Sequence, residues 1–527
     1  MEHAPVDDSR RTAVVICPPL GYEDTSAYRP LRVLADAVAE RGFTCVRVDW
    51  PGLGDSAGEA LDDDILSRQV DALREVAESL RGRGFTQVLA IGVRAGGLLA
   101  VASAAFDALI LWGCPASGKL YLREERAFHR LAARAFTDAP ADRPALPEGV
   151  LEAGGFLYSA GSVRALDALS PAFDGPCLVI PREGTSARPE LLAALGREVT
   201  VVEAGGVNDL LDDPYRAKLN PAARDAILGF LVGRDSFAPG PRAGRPDLRG
   251  EGWIERPVTI PCEAGQLVGI ECLPITTPSA WTVLYNAGGV RRSGPNRLWT
   301  AAARVLAKQG IASLRVDVRD VGDADGAPET AGDLEAMYSE ASVGDALRAY
   351  DHVDRGLPID VVGLCSGAFM SVQVAARRPV RRATVFNCLA YVWDDDARSN
   401  GLSSQVSRSL LDGRRWKRLL TGRIDARALA RALLVQARLR AEGLVARLRG
   451  TAGPDPVDTI LRQVAARGTL LQVVISAGDP ALDYLERHVP LARRPAVTLI
   501  PGVDHTLRPA WAHAAAIRLI TAAPGAP

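Results

Sequence analysis

The chain has few of the features that place a protein in a membrane or in the secreted, disulfide-bonded class. No uninterrupted apolar run approaches the length of a membrane span, and Met1–Arg11 contains no apolar segment typical of a secretory signal. Only 8 cysteines occur in 527 residues, several of them inside strand-like runs, which favours reduced core residues over a disulfide framework. We therefore expect a cytosolic protein without a transmembrane segment.

Charge of one sign and clusters of metal ligands are also scarce. The net charge of −1 at pH 7 argues against a general binder of polyanions. The 6 histidines and 8 cysteines form no cluster at metal-ligand spacing, and the Gly-Leu-Gly at 52–54 lies in a duplicated turn rather than a phosphate loop. We expect no metal, no cofactor and no nucleic-acid partner.

Length and the order of local patterns predict the architecture. A chain of 527 residues exceeds one ordinary hydrophobic core, so two or three domains are expected. Short β-branched runs alternate with amphipathic helical segments, which indicates mostly parallel sheets with helices on both faces. A stretch rich in Pro, Gly and Arg at 237–250 predicts a linker between a first domain at 1–236 and a second at 251–527.

The two predicted domains repeat each other. In the first, Val46–Asp49 is followed by Gly54–Asp55. In the second, Leu314–Asp317 is followed by Gly322–Asp323, and every position is shifted by the same 268 residues (317 minus 49). The chain is therefore interpreted as a tandem duplication.

One stretch has the pattern of a nucleophile elbow. The run Gly-Leu-Cys-Ser-Gly at 363–367 follows a β-branched strand and precedes a helical segment, which is the context of the G-x-S-x-G elbow, with Cys365 in place of serine. At the corresponding place in the first half, Gly-Val-Arg-Ala-Gly at 92–96 puts Arg94 at the nucleophile position. A guanidinium stays protonated and cannot attack a carbonyl.

On these motifs both halves resemble α/β-hydrolase domains, and the resemblance covers nearly the whole chain. The second half is the closer match, because segments 286–290, 294–299 and 363–368 resemble a subfamily with a cysteine nucleophile. Members of that subfamily accompany exosortase/polysaccharide systems or peptide-synthetase and polyketide clusters. The resemblance implies two tandem α/β-hydrolase domains, of which the second is catalytic.

The hydrolase fold orders its catalytic residues along the chain as nucleophile, acid and histidine. After Cys365, Asp479 follows one predicted strand and His505 follows the last, so we predict a Cys365–His505–Asp479 triad. Asp483 is the alternative acid. Asp479 is also well placed to cap the helix that begins after it.

The predicted oxyanion donors are backbone amides. One is the N–H of Ser366, directly after the nucleophile, and the other comes from the turn at 288–290, from Gly289 or Val290. These amides would bind the negative charge that develops on a carbonyl oxygen under attack.

The first half lacks the residues of a triad. Asp209 falls where the histidine should be, and His3 and His129 are the histidines that precede the predicted linker. We therefore predict an inert first copy. Arg94 is expected to form a fold-stabilising ion pair with Asp209 or Glu183, and the alternative is an anion clamp for a phosphate or carboxylate.

A cysteine nucleophile favours acyl transfer over plain hydrolysis. Its acyl-enzyme is itself a thioester and stays reactive towards an incoming thiol, amine or hydroxyl. We expect an acyltransferase that uses a thioester or ester substrate, and the resemblance implies a role in natural-product biosynthesis. Two alternatives stay open: a hydrolase, either an esterase or a thioesterase, that releases the acyl group to water, and a scaffold protein without turnover.

A long insertion at about 389–456 occupies the usual lid position of the fold. Between 407 and 450 it contains 12 Arg or Lys and 3 Asp or Glu, a net charge of +9, with Leu and Ala at helical spacing. One interpretation is a solvated helical lid whose arginines cover apolar surface. The other is a dock for an acidic partner: a carrier protein with its phosphopantetheine, an anionic polysaccharide precursor or a membrane surface.

Overall fold

The computed structural model describes residues 2–3, 12–133, 144–232, 247–326, 334–394 and 454–522. Two large sheets, one in each half of the chain, organise these residues. In the first half the strands are β1 (Glu2–His3), β2 (Thr12–Cys17), β3 (Thr44–Arg47), β4 (Gln87–Val93), β5 (Ala108–Trp112), β6 (Leu151–Ala153), β7 (Phe156–Tyr158), β8 (Cys177–Ile180) and β9 (Val199–Val201). The helices are α1 (Tyr22–Glu40), α2 (Ile65–Gly82), α3 (Ala95–Ser103), α4 (Gly118–Ala132), α5 (Ala160–Ala168), α6 (Pro189–Ala193), α7 (Val207–Leu210) and α8 (Pro221–Leu231).

The second half repeats this order with a longer antiparallel start. Its strands are β10 (Leu248–Gly250), β11 (Trp253–Cys262), β12 (Gly265–Pro274), β13 (Ala280–Leu284), β14 (Ile311–Asp317), β15 (Ile359–Leu364), β16 (Arg382–Phe386), β17 (Leu470–Ser476) and β18 (Val497–Ile500). Its helices are α9 (Leu298–Lys308), α10 (Leu334–Met337), α11 (Glu340–Val353), α12 (Ser366–Arg377), α13 (Pro456–Ala466), α14 (Pro480–His488) and α15 (Ala510–Thr521), with short 3-10 turns at Pro295–Arg297 and Leu491–Arg493.

Both sheets have the same parallel core. The first runs β1-β3-β2-β4-β5-β8-β9 and the second β10-β11-β12-β14-β13-β15-β16-β17-β18. From β3 and from β14 onward all neighbouring strands are parallel, whereas β1 and β12 pair with them antiparallel. Apolar clusters cover both faces of each sheet. A mostly parallel sheet between two helical layers, with an elbow after a central strand, is the α/β-hydrolase fold, and the chain contains it twice.

Two segments of the structure are more regular than the sequence predicts. The region between 115 and 171 looks irregular in the sequence, yet it contains α4, α5 and the hairpin β6–β7. Helix α4 begins where the hydroxyl of Ser117 accepts a hydrogen bond from the N–H of Leu120, a cap that the apolar pattern does not reveal. The last three residues of the predicted linker, Leu248–Gly250, form an edge strand of the second sheet, and the predicted domain boundaries stay a prediction.

The two halves meet through reciprocal ion pairs. Arg47 of the first half pairs with Asp323 of the second, and Arg315 of the second pairs with Asp55 of the first, with 3.1 Å between Nη2 and Oδ1. Arg315 lies 268 positions after Arg47 (315 minus 47), and Asp323 lies 268 after Asp55. Each contact therefore occurs twice with the partners exchanged, as in the interface of a two-fold symmetric dimer.

A second pair of arginines extends the same symmetry. Arg29 donates from Nη1 to the carbonyls of Gly322 and Ala324, at 3.3 and 2.9 Å. Its counterpart Arg297, again 268 positions later, donates to the equivalent carbonyls of the first half at 54 and 56, at 3.2 and 2.6 Å. The duplicated copies are thus packed against each other as a pseudo-dimer within one chain.

None of the helices in the described ranges combines the length and the apolar character needed to cross a lipid bilayer.

Candidate active site

Cys365 lies in a strained turn between β15 and α12. Its backbone has φ 57° and ψ −114°, a conformation that a side chain with a Cβ rarely adopts and that costs on the order of 1–3 kcal/mol. Its N–H donates to the carbonyl of Phe386 on the neighbouring strand, at 3.0 Å. The thiol remains partly exposed, whereas all six residues of β15 are buried. The predicted elbow geometry is therefore present, with the sulfur raised at the carboxyl end of the sheet.

The flanking glycines make this turn sterically feasible. A Cβ on Gly363 would lie 1.9 Å from the carbonyl oxygen of Gly367, and one on Gly367 would lie 2.3 Å from the carbonyl oxygen of Asn286. Contacts this short would force the strand, the helix and the neighbouring loop apart. Glycine is required at both places.

His505 and Asp479 form a buried pair. Nδ1 of His505 lies 2.7 Å from Oδ2 of Asp479, and each side chain is only 4% exposed. A carboxylate at Nδ1 fixes the ring orientation and makes Nε2 the ring nitrogen that exchanges a proton with a nucleophile. This is the arrangement of histidine and acid that the sequence predicts.

Hydrogen bonds connect the histidine loop to the elbow. The side-chain amide of Asn387 donates to the carbonyl of His505, at 2.7 Å. Asn387 directly follows Phe386, whose carbonyl accepts the N–H of Cys365. Cys365 also packs against the apolar cluster that contains Val503 and Leu507, on either side of His505. The nucleophile position and the histidine loop therefore lie at the same end of the sheet.

The two candidate acids differ in their contacts. Asp479 caps α14 through Oδ1, which accepts from the N–H of Ala481 at 3.0 Å, while its Oδ2 meets His505. The same carboxylate therefore caps α14 and contacts the histidine. Asp483 lies within the first turn of α14, and it is Asp479 rather than Asp483 that contacts the ring.

The predicted oxyanion residues surround the elbow. Ser366 is the first residue of α12, where backbone N–H groups have no acceptor within the helix. Its hydroxyl accepts from the N–H of Gly288, at 2.9 Å, which joins the elbow to residues 286–292, called here the oxyanion loop. The N–H of Val290 donates to the carbonyl of Ala287 within this loop, at 3.1 Å. Of the two predicted loop donors, Val290 is thus the one whose N–H is engaged within the loop.

Aromatic side chains lie beside the thiol. The sequence motifs do not predict them. The hydroxyl of Tyr338 lies 3.6 Å from the sulfur of Cys365. The Tyr338 ring stacks on Trp393 at 4.1 Å between centroids and meets Phe369 at 5.1 Å. Phe369 follows the elbow by one helical turn, but nothing in the sequence indicates that Tyr338 and Trp393 would join it.

The first half has the same elbow, with an arginine at its central position. Arg94 has φ 52° and ψ −124°, close to the values at Cys365. Its guanidinium contacts both Glu23, at 3.0 Å, and Glu124, and donates to the carbonyl of Gly113 at 3.1 Å. The expected ion pair is present, but the expected partners were wrong, because the carboxylates that reach Arg94 are Glu23 on α1 and Glu124 on α4.

The other interpretation of Arg94, an anion clamp for a phosphate or carboxylate, is disfavoured by the charge of its neighbours. Burial disfavours the charged guanidinium, yet the two carboxylates raise the pKa of Arg94 far above its usual range. A side chain 4% exposed and already paired with two carboxylates presents no net positive charge to an external anion. Asp209 instead accepts from the side chain of Asn220, and Glu183 accepts from the N–H of Asn208.

The predicted basic lid lies largely outside the described residues, which stop at 394 and resume at 454. Among the residues that are described, no group of three or more His, Cys, Asp or Glu side chains has the geometry of a metal site.

Known structures similar to this chain are α/β hydrolases of low sequence identity. A lidless α/β serine hydrolase from Xanthomonas campestris aligns over 100% of its length with 54% of this chain, at 17% identity and a TM-score of 0.32. Dienelactone hydrolase from Anabaena variabilis aligns over 96% of its length with 51% of this chain, at 15% identity and a TM-score of 0.33. Est1E from Butyrivibrio proteoclasticus aligns over 96% of its length with 50% of this chain, at 11% identity and a TM-score of 0.31.

No protein-family model and no curated protein matches the chain. The class of protein is therefore defined by the molecule itself, through the strand order and the elbow: a tandem protein of the α/β-hydrolase fold.

The site predicts selective reactivity of one thiol. With iodoacetamide at pH 7.5, Cys365 should be labelled roughly tenfold or more faster than Cys262, which is also partly exposed but whose pKa is raised by burial. His505→Ala and Asp479→Asn should slow labelling of Cys365 and leave Cys262 unchanged, whereas Asp483→Asn should have no effect. Peptide-resolved mass spectrometry gives all rates in one sample, and equal labelling of both thiols in the native protein would contradict the assignment.

A buried carboxyl group in the first half predicts a pH effect on stability. Burial, reinforced by Glu23, raises the pKa of Glu125 from about 4.5 to about 8. The folded state then binds more protons than the unfolded state between these values, so this group's stabilising contribution is complete below pH 4.5 and is lost as the pH rises through 8. Glu125→Gln cannot ionise. Its free energy of unfolding should rise relative to wild type by on the order of 1 kcal/mol per pH unit in this window, as measured by urea denaturation, and parallel curves would contradict this.

Proposed function

We propose that the second half is a cysteine-dependent acyl-processing enzyme with Cys365 as nucleophile, His505 as general base and Asp479 as the acid that orients the histidine. The observation that carries the proposal is the 2.7 Å His505–Asp479 pair beside an elbow whose central residue is a partly exposed cysteine. A histidine that a carboxylate orients is the general base that an elbow nucleophile requires.

The first step forms an acyl-enzyme. Nε2 of His505 takes the proton of the Cys365 thiol, and the sulfur attacks the carbonyl carbon of a thioester or ester. Negative charge on the carbonyl oxygen is bound by the N–H groups of Ser366 and Gly289. When the tetrahedral intermediate collapses, the bond to the leaving thiol or alcohol breaks, and His505 returns its proton to that group.

The second step releases the acyl group. An acceptor thiol, amine or hydroxyl attacks the carbonyl of the acyl-Cys365 thioester while His505 removes the acceptor's proton. The carbon–sulfur bond breaks, and Cys365 regains its proton from the histidine. Because a thioester stays reactive towards acceptors other than water, transfer is the favoured outcome, and water as acceptor gives hydrolysis. The resemblance to the cysteine subfamily supports transfer in natural-product biosynthesis.

The surroundings of the thiol favour an apolar acyl group. Tyr338, Phe369 and Trp393 form an aromatic surface beside Cys365, and apolar or aromatic chains gain most from such contacts. The hydroxyl of Tyr338 is in addition near enough to the sulfur to hydrogen-bond to a thiolate. Docking of an acidic carrier protein by the basic insertion stays a prediction from the sequence.

A partition experiment tests the proposed function. Acyl thioesters of N-acetylcysteamine with two to twelve carbons are incubated with the protein in the presence and absence of an amine acceptor, and the products are quantified by mass spectrometry. We expect rates that rise with chain length, acylated acceptor in addition to free acid, and loss of both products in Cys365→Ala. Free acid as the sole product would assign a hydrolase, and full activity in Cys365→Ala would exclude the mechanism.

A further inference from the structure

The oxyanion loop of the second half is anchored on carboxylates of the first half. Nη2 of Arg291 lies 3.0 Å from Oδ2 of Asp24, and Nη1 lies 2.7 Å from Oδ1 of Asp49. The guanidinium also lies over the ring of Tyr28, with 3.9 Å from Cζ to the ring centroid. With a side chain only 4% exposed, Arg291 is fixed by three residues of the other half.

The next residue of the loop is held as firmly. Oδ1 of Asp317 accepts the backbone N–H of Arg292, and Oδ2 pairs with its Nη1, both at 2.6 Å. Asp55 of the first half completes the set, with 2.8 Å between its Oδ2 and Nε of Arg292. The end of the oxyanion loop is thus bound by carboxylates of both halves.

These carboxylates follow the symmetry of the duplication. Asp49 and Asp317 are counterparts, and each accepts the backbone N–H of the residue six positions later, Asp55 at 2.9 Å and Asp323 at 3.1 Å. In both halves this turn presents its aspartate to an arginine of the one oxyanion loop. The first copy therefore contains a turn whose aspartate contacts the loop beside the candidate site of the second copy.

The loop backbone also rests directly on the first half. A Cβ on Gly289 would lie 2.7 Å from the backbone of Pro214 and of Tyr215. The histidine loop has a similar support, because the guanidinium of Arg508 lies over the ring of Tyr22 in the first half, with 5.8 Å from Cζ to the ring centroid. Both loops that flank Cys365 are in contact with the half that carries no nucleophile.

We propose that Asp24 and Asp49 of the first half are positioning residues for acyl transfer at Cys365, and that they act through Arg291 on the oxyanion loop. Neither carboxylate touches the reacting atoms. An oxyanion donor is effective only when it is held in place before charge develops, and a loop displaced by a fraction of an ångström loses much of this effect. The inference rests on the proposed function, and it gives the inert copy a role in the reaction.

The test compares three isosteric substitutions in the full-length protein at pH 8. Asp24→Asn and Asp49→Asn remove the charges that hold Arg291; since burial raises the pKa of Asp24 only to about 6, this residue is ionised in the wild type. The matched control is Asp360→Asn. Asp360 is also buried and paired with two arginines, Arg381 and Arg382, but it lies at the opposite end of β15 from Cys365.

Two readouts separate positioning from folding. One is kcat and KM with the best thioester of the chain-length series, and the other is the rate of Cys365 alkylation by iodoacetamide. In alkylation the sulfur attacks a saturated carbon of iodoacetamide, and no oxyanion forms. The reaction therefore requires the thiolate and the histidine but not the oxyanion loop. Asp24→Asn and Asp49→Asn should lower kcat roughly tenfold to a hundredfold with little change in KM or in alkylation.

The outcomes are distinct. Unchanged kcat in both variants, or an equal loss in Asp360→Asn, would overturn the proposal, as would a parallel fall of kcat and alkylation. If Asp49→Asn does not fold, Arg291→Lys replaces it: lysine keeps the charge but cannot bridge two carboxylates, and kcat should again fall while alkylation persists. A wild-type protein that turns over no acyl substrate would instead show that the proposed function itself is wrong.

Discussion

The reciprocal arginine–carboxylate pairs between the two halves determine how the two copies are arranged in the structure. Arg47 with Asp323, and Arg315 with Asp55, are the same contact made twice across a pseudo-two-fold axis. Buried pairs of this kind gain little net free energy over apolar contacts, but removing one partner leaves an uncompensated buried charge, at a cost of about 3–5 kcal/mol. They fix which surface of one copy meets which surface of the other. The duplicated chain thus behaves as a dimer whose subunits cannot separate.

The two copies share the backbone conformation of the elbow but differ in the side chains at and beside it. Both keep an elbow with a positive φ at its central residue, which requires the glycines around it and therefore constrains the backbone whether or not chemistry follows. In the first copy the side chain there is Arg94, and two glutamates neutralise it. In the second copy the loop beside the elbow carries Arg291 and Arg292, which the first copy neutralises with aspartates. In our proposal the first copy supports the candidate site of the second.

Much of this could be predicted from the sequence because it rests on local rules. Alternation of strand and helix patterns and the glycines around Cys365 follow from short-range chemistry. The chain order of Cys365, Asp479 and His505 follows from the resemblance to the hydrolase fold, and the structure brings Asp479 to His505 as expected. The repeat of Asp49 and Asp55 at Asp317 and Asp323 revealed the duplication, but it gave no indication that the repeated turns contact each other across the copies. Such contacts depend on how two folded units pack.

Longer-range surroundings explain the remaining differences. Glu23 and Glu124 reach Arg94 from separate helices, and Tyr338 reaches Cys365 from a segment between elements, so no spacing rule could identify them. Val290 fits the general position of an oxyanion donor, but its N–H is engaged within the loop by the carbonyl of Ala287. In each case tertiary contacts determine which of several suitable groups is used.

The proposed reaction requires the sulfur of Cys365 to carry the acyl group. This can be tested by rapid quenching in acid within milliseconds of mixing with an apolar acyl thioester, followed by peptide mapping. We expect an acyl adduct on the peptide that contains Cys365, one that hydroxylamine removes and that is absent from Cys365→Ala. An adduct on another residue, or turnover with Cys365 never modified, would contradict it.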